Sequence, residues 1–146
     1  MGGTEEPYPG KLSGRERSVI FVDSNVFIYA VGRSHPLRTE AQNFFVECRE
    51  KGTRLITSAE ILQELLHVYL RVMRMETLDA ALELATLGID QIIHIDQDTV
   101  LHARHLADRF PGLTARDLLH LAVCQTNKIK ELKTFDRNLL TAFKGA

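Results

Sequence analysis

Short apolar runs alternate with longer amphipathic segments along most of the chain. The run Val19–Val22 contains β-branched and aromatic residues and is typical of a buried strand, and similar short runs follow at 54–56, 91–95 and 131–134. Strands that alternate with helices are usually parallel, joined by right-handed crossovers, and covered by helices on both faces. The pattern therefore predicts an α/β fold built on a mostly parallel sheet.

Apolar residues recur at helical spacing between these strands. We predict helices over six segments, 25–32, 37–51, 57–73, 77–87, 97–109 and 115–127, and a short helix or tail after residue 136. Gly52 ends the second of these helices, and Pro111 with Gly112 forms a turn before the last. In sheets of this kind, sites form beyond the carboxyl ends of the strands. Polar residues directly after each strand are thus the first candidates for chemistry.

Composition is consistent with one globular domain. The chain has 146 residues, of which 45% are hydrophobic and 25% charged, and we assign residues 19–146 to a single domain. Residues 1–18 are rich in Gly, Pro and charge without an apolar period, which predicts a flexible N-terminal arm. The formal net charge of -1 gives no overall attraction to nucleic acid or anionic lipid, so such binding would need a local basic patch.

The cysteines and the hydropathy pattern indicate a compartment. Cys48 and Cys124 lie in apolar periodic segments without CxxC spacing, as expected for reduced, buried thiols of a cytosolic protein. No apolar run reaches the roughly 18 residues that a membrane span needs, and no basic stretch precedes an apolar one at the N-terminus. We expect a soluble, cytoplasmic protein without a membrane partner.

Three aspartates have both a structural and a chemical explanation. Asp23 follows the first strand and Asp136 the fourth, so both could point into one crevice, although each could also be only a helix N-cap. Asp117 lies three residues after Thr114, as in a capping box. However, the helix that Asp117 opens, DLLHLAVC, is apolar on almost every side, and a buried charge is costly unless it is compensated.

Glu64 is the acid that local structure explains least. Thr57 and Glu60 are predicted to form the capping box of its helix, which leaves Glu64, one turn further on, without a capping role. It lies about 60° around the helix from Ile61, at the edge of the apolar stripe. A solvated position on the flank of the helix is the alternative.

Convergence of the four acids would require a cation. Two carboxylates about 4 Å apart repel by about 4 kcal/mol at an effective dielectric near 20, so Asp23, Glu64, Asp117 and Asp136 would not all stay ionised unaided. Oxygen ligands without Cys or paired His suit Mg²⁺ or Mn²⁺. Such ions polarise phosphoryl groups and lower the pKa of bound water. The chemistry this implies is phosphodiester hydrolysis.

The order of the acidic segments resembles a known family. The segments VDSNVFIYA, SAEILQELLHVY, ARDLLHLAVC and LKTFDRNL look like the four motifs of PIN-domain nucleases, including VapC-type toxins, and SHPLRTEAQNFF resembles the second helix of that family. By this resemblance Asp23, Glu64, Asp117 and Asp136 match the catalytic, metal-binding quartet, and Ser24 matches its supporting hydroxyl residue. The resemblance covers residues 19–143.

The resemblance carries further expectations. It implies a three-layer α/β/α fold with four to five strands, Mg²⁺- or Mn²⁺-dependent endoribonuclease activity, and a homodimer. For a VapC-type toxin it also implies a small antitoxin protein that occupies a helical groove and blocks the site.

Basic residues near the acids are candidates for RNA binding. Arg116 and Arg137 each neighbour an acid of the quartet, and Lys133, Lys128 and Lys130 lie close by in sequence, which predicts a phosphate-binding rim. For any single one of them, an ordinary solvated surface is the better explanation. The sequence contains no aromatic pair of the kind used in RNA-recognition motifs.

Two rival enzymes share some of these residues. Glu64 with His67, and Asp117 with His120, make acid-x-x-His pairs of the kind found in carboxylate di-iron bundles, but that interpretation requires four long helices and no sheet. A phosphatase of the haloacid-dehalogenase type would use Asp23 as its nucleophile, but such enzymes need an Asp two residues on, where this chain has Asn25.

A rival of another class is a PIN-like module that binds RNA or protein without cutting. The presence of all four acids argues against it, because a protein without catalysis has no reason to tolerate repelling carboxylates.

Overall fold

The computed structural model describes residues 18–146. Its strands are β1 (Val19–Val22), β2 (Arg54–Ser58), β3 (Gln91–Ile93) and β4 (Glu131–Lys133). Its helices are α1 (Ser24–Val31), α2 (Arg38–Lys51), α3 (Ala59–Leu70), α4 (Met75–Leu87), α5 (Gln97–Arg109), α6 (Ala115–Thr126) and α7 (Arg137–Gly145). The N-terminal arm predicted for residues 1–18 lies, apart from Ser18, outside the described residues.

The strands form one parallel sheet in the order β3-β2-β1-β4. In the centre, Phe21 pairs with Ile56 on one side and with Leu132 on the other. The predicted α/β fold with a parallel sheet flanked by helices is confirmed, and four of the expected four to five strands are present between residues 18 and 146. Among those residues, no helix combines the length and apolar character that crossing a membrane requires.

The crossovers explain where the helices pack. The chain moves from β1 to β2 to β3 in one direction across the sheet and then returns past β1 to β4. Right-handed crossovers therefore put α1 to α4 on one face and α5 and α6 on the other. The packing agrees, since α1 contacts α2 and α4, α3 contacts α4, and α5 contacts α6.

Strands β1 and β4 are neighbours, but the chain leaves them toward opposite faces of the sheet. After β1 it continues into α1, whereas after β4 it enters α7, whose Leu139 and Ala142 pack in the cluster of α5 and α6. Neighbouring parallel strands that lead to opposite faces leave a crevice beyond their carboxyl ends. The crevice of this sheet thus lies between the ends of β1 and β4, where Asp23 and Asp136 stand.

Buried apolar side chains fill both sides of the sheet. Phe21, Val22 and Phe27 are fully buried, and the ring of Phe27 lies 5.4 Å from that of Phe45. The predicted burial of Cys48 and Cys124 is confirmed, and both thiols are free. Burial, with the charge of Asp23, raises the pKa of Cys124 to about 12, so this thiol stays protonated at neutral pH.

The capping box predicted from Thr57 and Glu60 is wrong. Strand β2 continues through Thr57, whose hydroxyl donates 2.8 Å to the carbonyl oxygen of Val22. The N-cap of α3 is Ser58, whose hydroxyl accepts from the backbone N–H of Ile61. A β-branched Thr fits a buried strand, which explains why the strand runs two residues beyond the prediction.

Other boundaries differ from the prediction by a few residues. Helix α3 ends at Leu70, three residues early, because the chain turns through Met73 with a positive φ of 56°. Strand β3 ends at Ile93, two residues early, and α4 begins at Met75, two residues early. The segment after β4 is a helix rather than a tail.

Replacing the observed cap should weaken the fold. Ser58→Ala removes the acceptor for the N–H of Ile61, and we expect a loss of about 1 kcal/mol in the free energy of unfolding, measured by urea denaturation. Ser34→Ala, in an exposed part of the α1–α2 connection, is the control and should leave stability unchanged. Equal stability of the two variants would mean that Ser58 does not act as a stabilising cap.

Candidate functional site

Two acidic side chains from different elements meet in the crevice. Asp23 ends β1 and caps α1, while Glu64 stands in the second turn of α3 and faces inward. Their exposed fractions are only 5% and 7%. Ser24 joins them, because its backbone N–H donates 2.7 Å to Asp23 Oδ1 and its hydroxyl donates 2.6 Å to Glu64 Oε1. The inward orientation of Glu64 excludes the solvated flank position for this residue.

A histidine from α6 completes the cluster. The ring nitrogen Nε2 of His120 lies 2.8 Å from Glu64 Oε2 and 3.7 Å from Asp23 Oδ1, and the residue is only 2% exposed. One ligand atom from each of Asp23, Glu64 and His120 lies within 4.8 Å of the others. Two carboxylates and one imidazole thus share a small volume.

The three groups adjust the charge of one another. Burial alone would raise the pKa of Glu64, but hydrogen bonds from His120 and Ser24 and the His120 charge lower it. Burial alone would lower the pKa of His120, but the Glu64 hydrogen bond and the Asp23 charge raise it. The pKa of Asp23 is raised by burial despite opposing contributions from His120, Thr134 and Ser24. Glu64 is thus the most firmly ionised acid of the cluster.

Polar side chains tie the ends of β1 and β4 together. The Thr134 hydroxyl donates 2.7 Å to Asp23 Oδ2 and accepts from the backbone N–H of Asp136 at 3.0 Å. Asn25 donates from Nδ2 to the same hydroxyl at 3.2 Å, and its Oδ1 accepts from the backbone N–H of Phe135 at 3.2 Å. This network fixes the Asp23 carboxylate relative to the loop that carries Asp136.

Asp117 and Asp136 form the outer part of the site. Asp136 caps α7, since its Oδ1 accepts from the backbone N–H groups of Asn138 and Leu139. Burial, followed by the charge of Asp136, raises the pKa of Asp117, so these two acids are close enough to repel. Asp117 also lies one helical turn before His120. Neither acid belongs to the group of ligand atoms within 4.8 Å of one another.

The predicted basic residues are placed unequally around this site. Arg116 Nε lies 3.7 Å from Glu60 Oε2, and Lys133 Nζ lies 3.1 Å from Glu40 Oε2, whereas Arg137 is exposed at the start of α7. Burial, followed by the charge of Glu64, raises the pKa of Glu60. Acidic partners therefore already hold two of the three predicted RNA-binding cations.

Two other basic residues that were predicted for the rim lie at the amino end of β4. Lys128 and Lys130 precede this strand, whereas Asp136 follows it. Both lysines thus lie at the opposite end of the sheet from Asp23. The prediction that they belong to the rim is wrong.

His120 is the functional candidate that the sequence interpretation missed. The expected set contained only oxygen ligands, and His120 was considered only as a partner of Asp117 in a di-iron bundle, which the parallel sheet contradicts. Its polar contact is with Glu64, from a helix 56 residues earlier. The available signal was a histidine on an otherwise apolar helix, one turn after an acid.

Hydrogen-bond direction indicates which atoms could bind a cation. The ionised Glu64 carboxylate can only accept, so Nε2 of His120 donates to it and is not a free nitrogen ligand in this arrangement. Each carboxylate offers about four acceptor positions, so Asp23 and Glu64 each keep lone pairs beyond their internal hydrogen bonds. The donor set is thus oxygen-rich and fits a hard divalent ion.

Comparison with known proteins identifies the family of this chain. The family model described as PIN domain matches residues 20–144. Ribonuclease VapC23 of Mycobacterium tuberculosis (strain CDC 1551 / Oshkosh) is 52% identical over 127 residues, which are 87% of this chain and 100% of that protein.

Two solved structures share the fold. The structure of Mycobacterium tuberculosis VapC20, a Sarcin-Ricin loop cleaving toxin, has a TM-score of 0.73 at 19% identity, and the match covers 84% of this chain and 94% of that one. VapBC2 from Rickettsia felis, bound to a DNA fragment from their promoter, has a TM-score of 0.59 at 14% identity and covers 81% and 99%. The family match and the identity to VapC23 together show that the chain belongs to the PIN domain family, among the VapC ribonucleases.

Proposed function

We propose that this VapC ribonuclease cleaves RNA with the aid of Mg²⁺ or Mn²⁺ held by Asp23, Glu64, Asp117 and Asp136. The observation that carries the proposal is the meeting of two buried carboxylates, Asp23 and Glu64, at the crevice between β1 and β4. Repelling acids at this depth are expected where a cation offsets them.

The residues around the acids have distinct roles in this proposal. Ser24 and His120 each hold one oxygen of Glu64, and Thr134 holds one oxygen of Asp23, so both carboxylates are oriented before any ligand arrives. A bound divalent ion supplies polarisation of the phosphate and a water of lowered pKa. Asp117 and Asp136, which are half-buried and close enough to repel each other, complete the proposed acidic set.

Phosphate contacts are assigned to the cations nearest the acids. Arg137 is exposed and directly follows Asp136, which makes it the first candidate. Arg116 and Lys133 would bind phosphate in exchange for their present contacts with Glu60 and Glu40. The substrate proposed is RNA because the relatives are ribonucleases.

A protein partner is part of the same proposal. We infer a small antitoxin partner, because the related VapBC2 structure is a VapBC pair, and a homodimer remains proposed from the family resemblance. Several large apolar residues at the end of α3 and just beyond it are exposed, namely Leu66, Leu70, Val72, Met73 and Met75. An exposed apolar surface of this kind is typical of a protein contact. Light scattering of the purified chain alone tests for the homodimer. The same measurement on the chain co-expressed with an antitoxin tests for the complex of the two proteins.

The central acid is tested by a neutral replacement. We expect Asp23→Asn to lower RNA cleavage by more than about 100-fold, because a ligand of the proposed ion is lost. Stability should be kept or increased, since burial already disfavours the charged form of Asp23. Cleavage in Mn²⁺ and thermal unfolding are the measurements, and Asp79→Asn, an exposed acid on α4, is the control.

Metal binding is measured separately from cleavage, as the stabilisation by Mn²⁺ of the wild type and of Asp23→Asn. At a Mn²⁺ concentration 100 times the dissociation constant, binding should stabilise the wild type by about 2.7 kcal/mol, and Asp23→Asn should lose most of this gain. An unchanged midpoint in Mn²⁺, together with intact RNA, would instead indicate a binding module that does not cut.

His120 is proposed as a positioning residue for Glu64. His120→Leu removes the donor, so we expect the Mn²⁺ affinity and the cleavage rate to fall by roughly 10- to 100-fold. His120→Gln, whose amide can donate from a similar position, should restore much of both. Titration calorimetry with Mn²⁺ and cleavage assays measure the effect, and His105→Ala, an exposed histidine of α5, is the control. Wild-type metal affinity in His120→Leu would remove the positioning role.

A further inference from the structure

Three aromatic rings from separate parts of the chain meet beside the proposed catalytic site. The rings of Tyr29, in α1, and His35, in the α1–α2 connection, have centroids 4.5 Å apart and planes inclined by only 32°. The ring of Phe135 meets Tyr29 edge-on, with centroids 5.5 Å apart and an angle of 78°. This arrangement is a tilted pair of rings in contact, with a third ring against Tyr29.

Helix α1 connects these rings to the acids. Asn25 and Tyr29 are four residues apart and thus lie on the same face of α1. Asn25 binds the backbone N–H of Phe135, and Tyr29 contacts the Phe135 ring. Phe135 itself stands between Thr134, which binds Asp23, and Asp136. Tyr29 lies six residues after Asp23, about 9 Å along the helix axis, a distance that a nucleotide or two of extended RNA spans.

The imidazole of His35 is held in place although the residue is exposed. Its Nδ1 accepts from the backbone N–H of Leu37 at 3.0 Å, and the ring of Pro36 restricts the chain between them. Tyr29 covers one face of the imidazole. His35 as a whole is exposed, so its ring is accessible to a ligand. A flat ring is thus presented outward with little freedom left to lose on binding.

One cation lies beside this ring cluster, and two more are near it in the sequence. Arg33 and Arg38 are exposed on either side of His35 in the sequence. Lys133 Nζ, which also pairs with Glu40, lies 4.9 Å from the centroid of Phe135 and 5.5 Å from that of Phe44. Stacking rings flanked by positive charge are the combination that single-stranded nucleic acid binds.

We propose that the outer face of His35, supported by Tyr29 and Phe135, stacks on one unpaired base of the RNA next to the phosphate that is cut. This inference rests on the proposed function and adds to it a subsite for one unpaired base. Stacking tolerates any base, so the subsite contributes affinity and register, with a preference for the larger purines.

Paired substitutions separate stacking from loop structure. His35→Asn removes the ring but keeps a side-chain oxygen that can accept from the N–H of Leu37, as in an Asx-turn. His35→Phe keeps a flat ring and loses that acceptor. His94→Ala is the matched control, because His94 is an exposed histidine after β3, at the opposite edge of the sheet from β4.

Cleavage of a short unstructured RNA in Mn²⁺ is the assay. Each nucleotide of the substrate is replaced in turn by an abasic nucleotide, which keeps the phosphate and removes the stacking partner. We expect His35→Asn to lower kcat/KM roughly ten-fold, mainly through KM, and His35→Phe and His94→Ala to behave as wild type. One abasic position should lower the wild-type kcat/KM by a similar factor and have little further effect in His35→Asn.

Other outcomes would overturn either the stacking subsite or the proposed nuclease function. Normal cleavage by His35→Asn, or equal losses in His35→Asn and His35→Phe without any sensitive abasic position, would overturn the stacking subsite and leave the nuclease intact. If the wild type, like Asp23→Asn, leaves every RNA uncut in Mn²⁺, the proposed function fails and the subsite fails with it.

Discussion

The meeting of the Asp23 and Glu64 carboxylates is the constraint on which the rest of this site depends. Carboxylates held within 4.8 Å of each other repel by about 3 to 4 kcal/mol at an effective dielectric near 20, and both are buried. The fold tolerates this only because nearby groups donate hydrogen bonds to both acids, with His120 adding positive charge. The site is therefore prepared for a cation and only partly neutralised without one.

The sheet topology explains why this happens at one place. The crossovers from β1 to β3 run one way and the return to β4 runs the other way, which opens the crevice between β1 and β4. Asp23 and Thr134 come from the two strands that border the crevice, while Glu64 and His120 enter from helices on opposite faces of the sheet. Residues far apart in sequence thus share one small volume.

The capping and chemical explanations of the aspartates turn out to be compatible. Asp23 accepts from the backbone of α1 through Oδ1 and from Thr134 through Oδ2, and Asp136 uses one oxygen, Oδ1, for both of its cap contacts. A carboxylate has more acceptor positions than a cap uses. The same residue can therefore begin a helix and face a ligand.

Local patterns predicted most of the fold and part of the site. Apolar periodicity located the strands and helices to within a few residues, because these elements depend on neighbours in sequence. Asp23 and Asp136 were located for the same reason, since each directly follows a strand or its next turn. His120 and Thr134 were not predicted as site residues, since their roles come from contacts with Glu64 and Asp23 across 56 and 111 residues. The Thr57 capping box failed because pairing of β2 with β3 at Thr57, and the bond from its hydroxyl to Val22, outweighed a local preference.

The most direct measurement is the position of bound Mn²⁺ in a crystal, located by its anomalous scattering. The account predicts a peak about 2.1 Å from oxygen atoms of both Asp23 and Glu64. A crystal at saturating Mn²⁺ with its peaks only at exposed acids such as Asp96 and Asp98, and none in the crevice, would contradict it.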